Sequence, residues 1–267
     1  MANSQTTHPL QVGVQLHPQH TTYQSFAEAV QRVEKIGVDS IWNWDHFFPL
    51  YGDPQGSHFE GWTLLTAMAT LTTRAQIGCL VSCNTYRNPA LLADMAKTVD
   101  HISNGRLILG IGAGWFERDY REYGYDFGTP GSRLKALEEA IPTILHRWEV
   151  DAPKPVRYSI PILIGGGGEK KTLYITAKYA NIWHGFGDVA TLAHKNQVLD
   201  QWCKEVGRNP NEIIRSTAIR TDFSEHELDD KVATGISFFT LELDEPWDYS
   251  AVERLVKWRD GRQLATR

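Results

Sequence analysis

The sequence has few cysteines and no hydrophobic run long enough to cross a membrane. Its three cysteines are Cys79, Cys83 and Cys203. Because they are few and odd in number, they do not indicate a disulfide framework and are predicted to be reduced thiols. No apolar stretch approaches the ~18 residues that a membrane-spanning helix needs. The first ten residues, MANSQTTHPL, lack the charged and apolar regions of a secretory signal. Together these absences predict a cytoplasmic protein without a membrane partner.

The chain also has no basic stripe. Lys and Arg together number 27 against 32 Asp and Glu, which gives a formal net charge of −5. Nucleic acid is therefore excluded as an expected partner, and a small molecule is the expected ligand. Aromatic residues, in contrast, are plentiful, with nine tryptophans and ten tyrosines. They either pack in the core or line a site for a flat ligand.

Short apolar runs alternate with amphipathic helical patterns along the whole chain. Runs of this kind are typical of parallel strands that are buried on both faces of a sheet. Eight strands are predicted, at residues 11–16, 40–44, 75–81, 106–112, 161–166, 181–186, 213–221 and 235–243.

Helical patterns lie between these strands, at residues 23–37, 88–105, 132–148 and 191–207. Pro142 predicts a kink or an early break in the third of them. The alternation of strand and helix predicts a single (β/α)8 barrel domain over residues 1–267, with an open doubly wound sheet as the alternative. Residues 224–234 predict an unusually short seventh helix.

Two glycine-rich segments follow predicted strands, where a barrel of this type places its chemistry. In LGIGAGWFERDYREYG, residues 109–124, Trp115 occupies the position where a dinucleotide fingerprint needs glycine. Gly110 and Gly112 serve either strand packing or a ligand, whereas Gly114 and Trp115 are predicted to form a ligand wall.

The second segment is the run Gly165–Gly168, before a helix predicted to begin near Glu169. Successive N–H groups at a helix start predict a phosphate site, and a flexible turn is the alternative.

Polar side chains follow the other strands. Asp45 and His46 end the second strand and can act as a general acid or base, or can merely cap a turn and pack on aromatic rings. His17 and His20 follow the first strand and are candidates for a substrate contact, although no third ligand supports a metal site. Small polar groups and a cation follow the third strand: Cys83, Asn84, Thr85 and Arg87.

Four segments together resemble one known family, the luciferase-like monooxygenases, and within it the F420-dependent oxidoreductases. The segments are VGVQL, SIWNWDHFFP, the stretch from IGCLVSCNTYRNP to YREYGYDF, and the stretch from PILIGGGG to ANIWHGFG. The resemblance covers roughly residues 10–222. It implies a (β/α)8 barrel that binds a deazaflavin or a flavin at the carboxyl ends of its strands, and it implies a homodimer.

The resemblance also implies roles for individual residues. Asp45 and His46 match the family's Asp-His pair, in which His46 is the acid or base near the reactive ring carbon. Leu80–Val81 matches a bulge with a non-prolyl cis peptide behind the ring. Cys83 stands where relatives often have a hydroxyl residue that binds the cofactor.

Further matches extend the cofactor site along the barrel rim. They comprise a wall at Ala113, Gly114 and Trp115, a phosphate turn at Gly166, Gly167 and Gly168, and the strand-six residues Trp183 and His184. Glu117 is a further candidate for proton transfer or for a substrate contact. Asp45 either orients His46 or binds the cofactor directly.

The chain departs from the family pattern in three places. The insertion before the fifth predicted strand is shortened to EVDAPKPVRYS, the helix before the eighth strand is truncated, and Asn181-Ile182-Trp183 replaces the usual Asp-Gly-Trp. The expected function is hydride transfer between F420 and a small organic substrate. An FMN-dependent monooxygenase and a non-catalytic cofactor-binding barrel are the alternatives.

Overall fold

The computed structural model describes residues 8–265. Nine parallel strands make one sheet in the order β3-β2-β1-β9-β8-β7-β6-β5-β4. The strands are β1 Gln11–Leu16, β2 Ser40–Asn43, β3 Gln76–Cys79, β4 Ser82–Cys83, β5 Leu109–Gly112, β6 Ile162–Gly165, β7 Ile182–Gly185, β8 Ile214–Ile219 and β9 Phe238–Leu243.

The two edges of this sheet meet, so that the sheet forms a nearly closed barrel. Ile77 in β3 donates its N–H to the carbonyl of Arg106 at 3.0 Å and accepts from the N–H of Ile108 at 2.9 Å. The third strand, predicted over residues 75–81, ends at Cys79, and the cis peptide Leu80–Val81 separates it from the two-residue β4. The barrel prediction is therefore confirmed, and the open-sheet alternative is wrong.

Helices follow the strands and cover the outside of the barrel. They are α1 Tyr23–Ile36, α2 Gly61–Leu71, α3 Pro89–Ile102, α4 Glu117–Tyr123, α5 Pro130–Val150, α6 Thr172–Tyr179, α7 Val189–Glu205, α8 Glu225–Ala233 and α9 Tyr249–Ala265. N-terminal capping residues define where several helices begin. Thr22, Asn88 and Asp188 each accept a hydrogen bond from a backbone N–H in the first turn of α1, α3 and α7 respectively. The nine residues of α8 confirm the predicted short helix.

Helices α5 and α6 differ from the sequence expectation. Helix α5 continues through Pro142, so the predicted early break is wrong. Burial of Ile141 and Ile144 beside the proline offsets its cost of about 3 kcal/mol. Helix α6 begins at Thr172 instead of near Glu169, because the carbonyl of Glu169 accepts a hydrogen bond from the Trp202 indole on α7 and holds this residue in the preceding turn.

The main hydrophobic core lies between the sheet and the helices. Strand β1 buries Val12, Val14 and Leu16 completely, and α1 buries Phe26 and Val30. A second, smaller cluster fills the barrel interior and comprises Trp42, Leu80, Ile108, Leu163, Ile182 and Phe238. The barrel interior is thus a packed core below its rim.

Some predictions reach beyond the part of the chain that the structure describes. The domain limits at residues 1 and 267, and most of the N-terminal segment, lie outside it. Among residues 8–265, no helix is long and apolar enough to cross a membrane.

Glycines on β3 and β5 permit the close approach that closes the barrel. A Cβ atom on Gly78 would lie 2.6 Å from the carbonyl oxygen of Ile108, and one on Gly110 would overlap the carbonyl oxygen of Cys79. Both obstacles are backbone atoms, which cannot rotate away. Of the two interpretations of Gly110, the structure supports strand packing.

We expect Gly110→Ala to lower the free energy of unfolding by about 1–3 kcal/mol, because the added methyl group forces β3 and β5 apart. Denaturant unfolding followed by circular dichroism measures this change. Gly261→Ala is the matched control, since Gly261 lies in α9 and a Cβ added there would have no atom within 4 Å. The control gains up to about 1 kcal/mol from its higher helix propensity. Equal stability of the two variants would contradict the packing role of Gly110.

Candidate active site

A cavity of about 570 Å³ opens at the carboxyl ends of the strands. It is bounded by the ends of β2, β4, β5, β6 and β9 together with the start of α5. Most of the residues that the sequence assigned to the site line it: His17, Asp45, His46, Leu80, Val81, Cys83, Ala113, Gly114, Trp115, Gly165, Gly166 and His184. Glu117, Gly167, Gly168 and Trp183 are not among the lining residues.

His46 lies in the cavity wall and is held there by a buried carboxylate. Its Nδ1 lies 2.7 Å from Oδ2 of Asp119, which is completely buried on α4. The aromatic rings of Trp44, Trp115 and Phe116 surround the imidazole, with centroid separations of 5.5–5.9 Å. A hydrogen bond from Nδ1–H to the carboxylate leaves Nε2 as the nitrogen that can exchange a proton with a ligand.

Asp119 also accepts two other hydrogen bonds. The Tyr86 hydroxyl donates to Oδ2 at 2.7 Å, and the N–H of Phe47 donates to Oδ1 at 3.2 Å. Burial raises the pKa of the Tyr86 hydroxyl well above its ordinary value, so Tyr86 keeps its proton and remains a donor. Three donors therefore compensate the burial of the carboxylate and fix its position beside His46.

In the described part of the chain no hydrogen bond joins the Asp45 carboxylate to the His46 ring, and Asp119 takes the orienting role that was predicted for Asp45. Its carboxylate forms a bidentate pair with Arg87, at 2.6 and 2.9 Å, and accepts the backbone N–H of Cys83 at 3.0 Å. The adjacent carboxylate raises the pKa of the Arg87 guanidinium, which stays charged. Asp45 therefore fixes the end of β4 and the cavity wall beside His46.

Glu117 is exposed at the first turn of α4 and does not line the cavity. Side chains two positions apart on a helix point about 200° away from each other around the helix axis, so Glu117 and Asp119 cannot both face the barrel. Asp119, and not Glu117, is therefore the acidic residue of this segment that pairs with a side chain in the cavity wall. The available signal was Tyr120, which is buried beside Asp119 and marks the inward face of the helix.

The thiol of Cys83 is occupied by neighbouring protein groups. Its Sγ lies 3.0 Å from the hydroxyl of Tyr120 and 3.6 Å from Oγ1 of Thr85. Burial raises the pKa of this thiol, which stays neutral. A Cβ on Gly114 would overlap the Tyr120 hydroxyl, so this glycine makes room for Tyr120 as well as bordering the cavity.

Val81 projects between two strand ends that lack side chains. Cβ atoms on Gly112 and Gly165 would lie 2.8 and 2.9 Å from its γ-carbons. The resemblance implied a cis peptide at Leu80–Val81, and the structure has one there. The absence of side chains at Gly112 on β5 and Gly165 on β6 therefore leaves room for the Val81 side chain, which lines the cavity.

The glycine turn after β6 has free backbone donors. Gly166 donates its N–H to the carbonyl of His184, whereas the N–H groups of Gly167 and Gly168 have no acceptor among residues 8–265. Trp183 is completely buried and donates its indole N–H to the carbonyl of Gly166 at 2.8 Å. Trp183 therefore supports the turn from below and does not border the cavity.

Arg133 on α5 supplies a positive charge that the sequence analysis missed. It is only 7% exposed, lines the cavity, and donates to the carbonyls of Gly114 and Phe127 at 3.0 and 2.8 Å. No carboxylate within the described part of the chain pairs with it. Nothing local in the sequence distinguishes this arginine, because its orientation depends on how α5 packs against α3 and α6.

His17 and Trp44 border the opposite side of the cavity. Their rings stack with centroids 4.0 Å apart, and the Trp44 indole donates to Nε2 of His58 at 2.8 Å. Burial lowers the pKa of His58 to about 4, which keeps it neutral and able to accept this bond. His20 is turned away, with Nε2 2.7 Å from the carbonyl oxygen of Tyr51.

Sequence comparison finds F420-dependent enzymes among the relatives of this chain. It is 34% identical over 145 residues to an F420-dependent glucose-6-phosphate dehydrogenase of Amycolatopsis mediterranei, a match that covers 53% of this chain and 43% of the relative. It is 30% identical over 185 residues to a phthiodiolone/phenolphthiodiolone dimycocerosates ketoreductase of Mycobacterium bovis, covering 55% and 47% respectively. The matched segments thus span less than half the length of either relative.

Structure comparison extends the similarity to almost the whole chain. An F420-dependent secondary alcohol dehydrogenase, solved with an F420-acetone adduct, superposes with a TM-score of 0.82 at 18% identity, covering 92% of this chain and 97% of that one. The tetrahydromethanopterin reductase of Methanopyrus kandleri gives a TM-score of 0.77 at 15% identity with the same coverage. A family model described as luciferase-like monooxygenase matches residues 4–259. The chain belongs to the luciferase-like monooxygenase family.

Proposed function

We propose that this protein is an F420-dependent oxidoreductase that transfers a hydride between the deazaflavin and a small organic substrate. The observation that carries the proposal is the rim cavity of about 570 Å³, which has the His46–Asp119 pair in its wall. The F420-dependent enzymes among its relatives support the choice of cofactor. The homodimer and the cytoplasmic location stay predictions.

The residues around the cavity fit a long anionic cofactor. Arg133 is a buried cation without a carboxylate partner in the described structure, and the N–H groups of Gly167 and Gly168 are free to bind phosphate oxygens. Lys195 lies beside the same turn, with its Cε 3.8 Å from the position of a Cβ on Gly167, although it also pairs with Glu169 at 2.5 Å. These groups would hold the phosphate-bearing tail.

The other walls fit a flat ring system. Leu80 and Val81 give an apolar surface, and the backbone of Gly112 and Ala113 faces the same space without large side chains. The exposed indole of Trp115 borders the opening. We propose that the ring lies against Leu80 and Val81, and that Asp45 acts on it only through the backbone that it fixes.

When bound, F420 supplies the site at which a hydride is accepted or donated. His46 then handles the accompanying proton at Nε2: it takes the hydroxyl proton as an alcohol carbon loses its hydride, or returns it in the reverse direction. Asp119 is a positioning residue, since it holds Nδ1 and so directs Nε2 into the cavity. The ring contacts of Trp44, Trp115 and Phe116 restrict the motion of the imidazole.

We expect the purified protein to bind F420 with a micromolar dissociation constant and not to retain FMN. A fluorescence titration with each cofactor measures both affinities. Arg133→Met should weaken F420 binding roughly tenfold, because one charge-assisted contact is lost. Lys257→Met, a charge change on the outer helix α9, is the control. Tight binding of FMN alone would favour the monooxygenase alternative, and binding of neither cofactor would refute the proposed cofactor role.

We expect His46→Ala to lower kcat by roughly 10²–10⁴-fold while F420 affinity stays within about twofold of the native value, because only proton transfer is lost. Asp119→Asn should lower kcat by roughly 10²-fold with little change in KM, since Nε2 is no longer directed at the substrate. Turnover is followed by the absorbance of oxidised F420, using the alcohol or ketone that the native protein converts fastest.

Glu117→Gln is the control for both variants, and its kcat should match that of the native protein. A loss of turnover in Glu117→Gln as large as that in His46→Ala would restore the original assignment of Glu117. Full activity of His46→Ala would remove His46 from the mechanism.

A further inference from the structure

A second cavity, of about 600 Å³, adjoins the first at the ends of β1, β8 and β9. The two cavities share three lining residues, His17, Tyr51 and Glu242. A molecule that crosses these residues occupies both spaces. None of the residues assigned to the cofactor lines the second cavity, so its chemistry is independent of that assignment.

His17 at this junction is a second histidine held by a carboxylate. It is only 3% exposed, and its Nδ1 lies 2.9 Å from Oδ1 of Asp244, which also accepts a bond from Gln19 at 3.3 Å. The stack on Trp44 fixes the plane of the ring. Among residues 8–265, Nε2 of His17 has no hydrogen-bond partner, although the residue borders both cavities. This nitrogen is therefore available to a ligand at the junction.

Glu242 is the second unpartnered group at the junction. This partly buried side chain ends β9, and no hydrogen bond or ion pair to it exists in the described part of the chain. Burial raises the pKa of its carboxyl group, and the nearby His17 and Arg220 oppose this rise only in part. A ligand that donates a hydrogen bond to Glu242 would supply the missing compensation.

The charge of the second cavity is mainly negative. Four carboxylates line it, against one guanidinium at Arg220 and two histidines; the carboxylates belong to Glu242, Asp244, Glu245 and Asp248. The cofactor end of the first cavity has the opposite character, because Arg133 and Lys195 lie there. The two sides of the barrel rim therefore differ in charge: cations surround the glycine turn, and anions surround the end of β9.

We propose that the second cavity binds the end of the substrate remote from the reacting carbon, and that it selects a hydroxyl or ammonium group over a phosphate or carboxylate. This inference rests on the proposed function, because the reacting carbon must lie in the F420 cavity. His17 and Glu242 accept hydrogen bonds from the substrate, and Tyr51 adds a hydroxyl and an aromatic face. A carboxylate or a phosphate in the same place is repelled by Glu242 and Asp244.

Three cyclohexanols that differ only in the charge of the distant substituent test the proposal: 4-aminocyclohexanol, cyclohexane-1,4-diol and 4-hydroxycyclohexane-1-carboxylate. Each is titrated calorimetrically into the F420-loaded protein. We expect the amine and the diol to bind at least roughly tenfold more tightly than the carboxylate. Glu242→Gln should remove most of the preference for the amine over the carboxylate, and Glu225→Gln, on the exposed start of α8, should leave it unchanged.

Equal affinity for the three compounds, tighter binding of the carboxylate, or no binding of any of them would overturn the inference. A fluorescence titration with F420 on the same samples separates this result from the proposed function. F420 binding without the charge ranking defeats the substrate assignment alone, whereas loss of F420 binding defeats the proposed function itself. An unchanged ranking in Glu242→Gln would likewise remove Glu242 from substrate recognition.

Discussion

Closure of the parallel sheet is the constraint on which the site depends. Because every strand runs in the same direction, all carboxyl ends meet at one rim, and groups distant in sequence become neighbours. Closure requires β3 and β5 to approach so closely that Gly78 and Gly110 have no space for a side chain. The hydrogen bonds of Ile77 with Arg106 and Ile108 then join the two edges and define the cavity wall next to β4.

Two buried carboxylates at the rim perform different tasks because their partners differ. Asp45 is neutralised by Arg87 and holds the backbone of Cys83, so it acts on the shape of the wall. Asp119 accepts only from groups that are not permanently charged, including Tyr86, and it leaves His46 as the group that faces the ligand space. Charge compensation inside the protein thus separates a carboxylate that is paired with an arginine from one that holds a histidine, which supports the proton-transfer role proposed for His46.

The uneven distribution of charge around the rim favours one orientation of a bound ligand over the reverse orientation. Cations and free N–H groups surround the glycine turn after β6, whereas unpaired and weakly paired carboxylates surround the end of β9. This charge distribution supports the proposal that an anionic cofactor tail and an uncharged or cationic substrate bind at opposite ends of the rim. The imidazole rings of His46 and His17 both lie against the Trp44 ring, the first edge to face and the second stacked.

The sequence by itself determined the barrel, the order of its elements and most of the rim, because apolar runs of strand length, helix caps and strand-end residues such as Asp45 and His46 are local signals. Only the tertiary structure decided which side chains meet. Whether Glu117 or Asp119 faces His46 depends on the rotation of α4, and the approach of Arg133 depends on the packing of α5. The pairing of His17 with Asp244 joins residues 227 positions apart, a contact that no local pattern encodes.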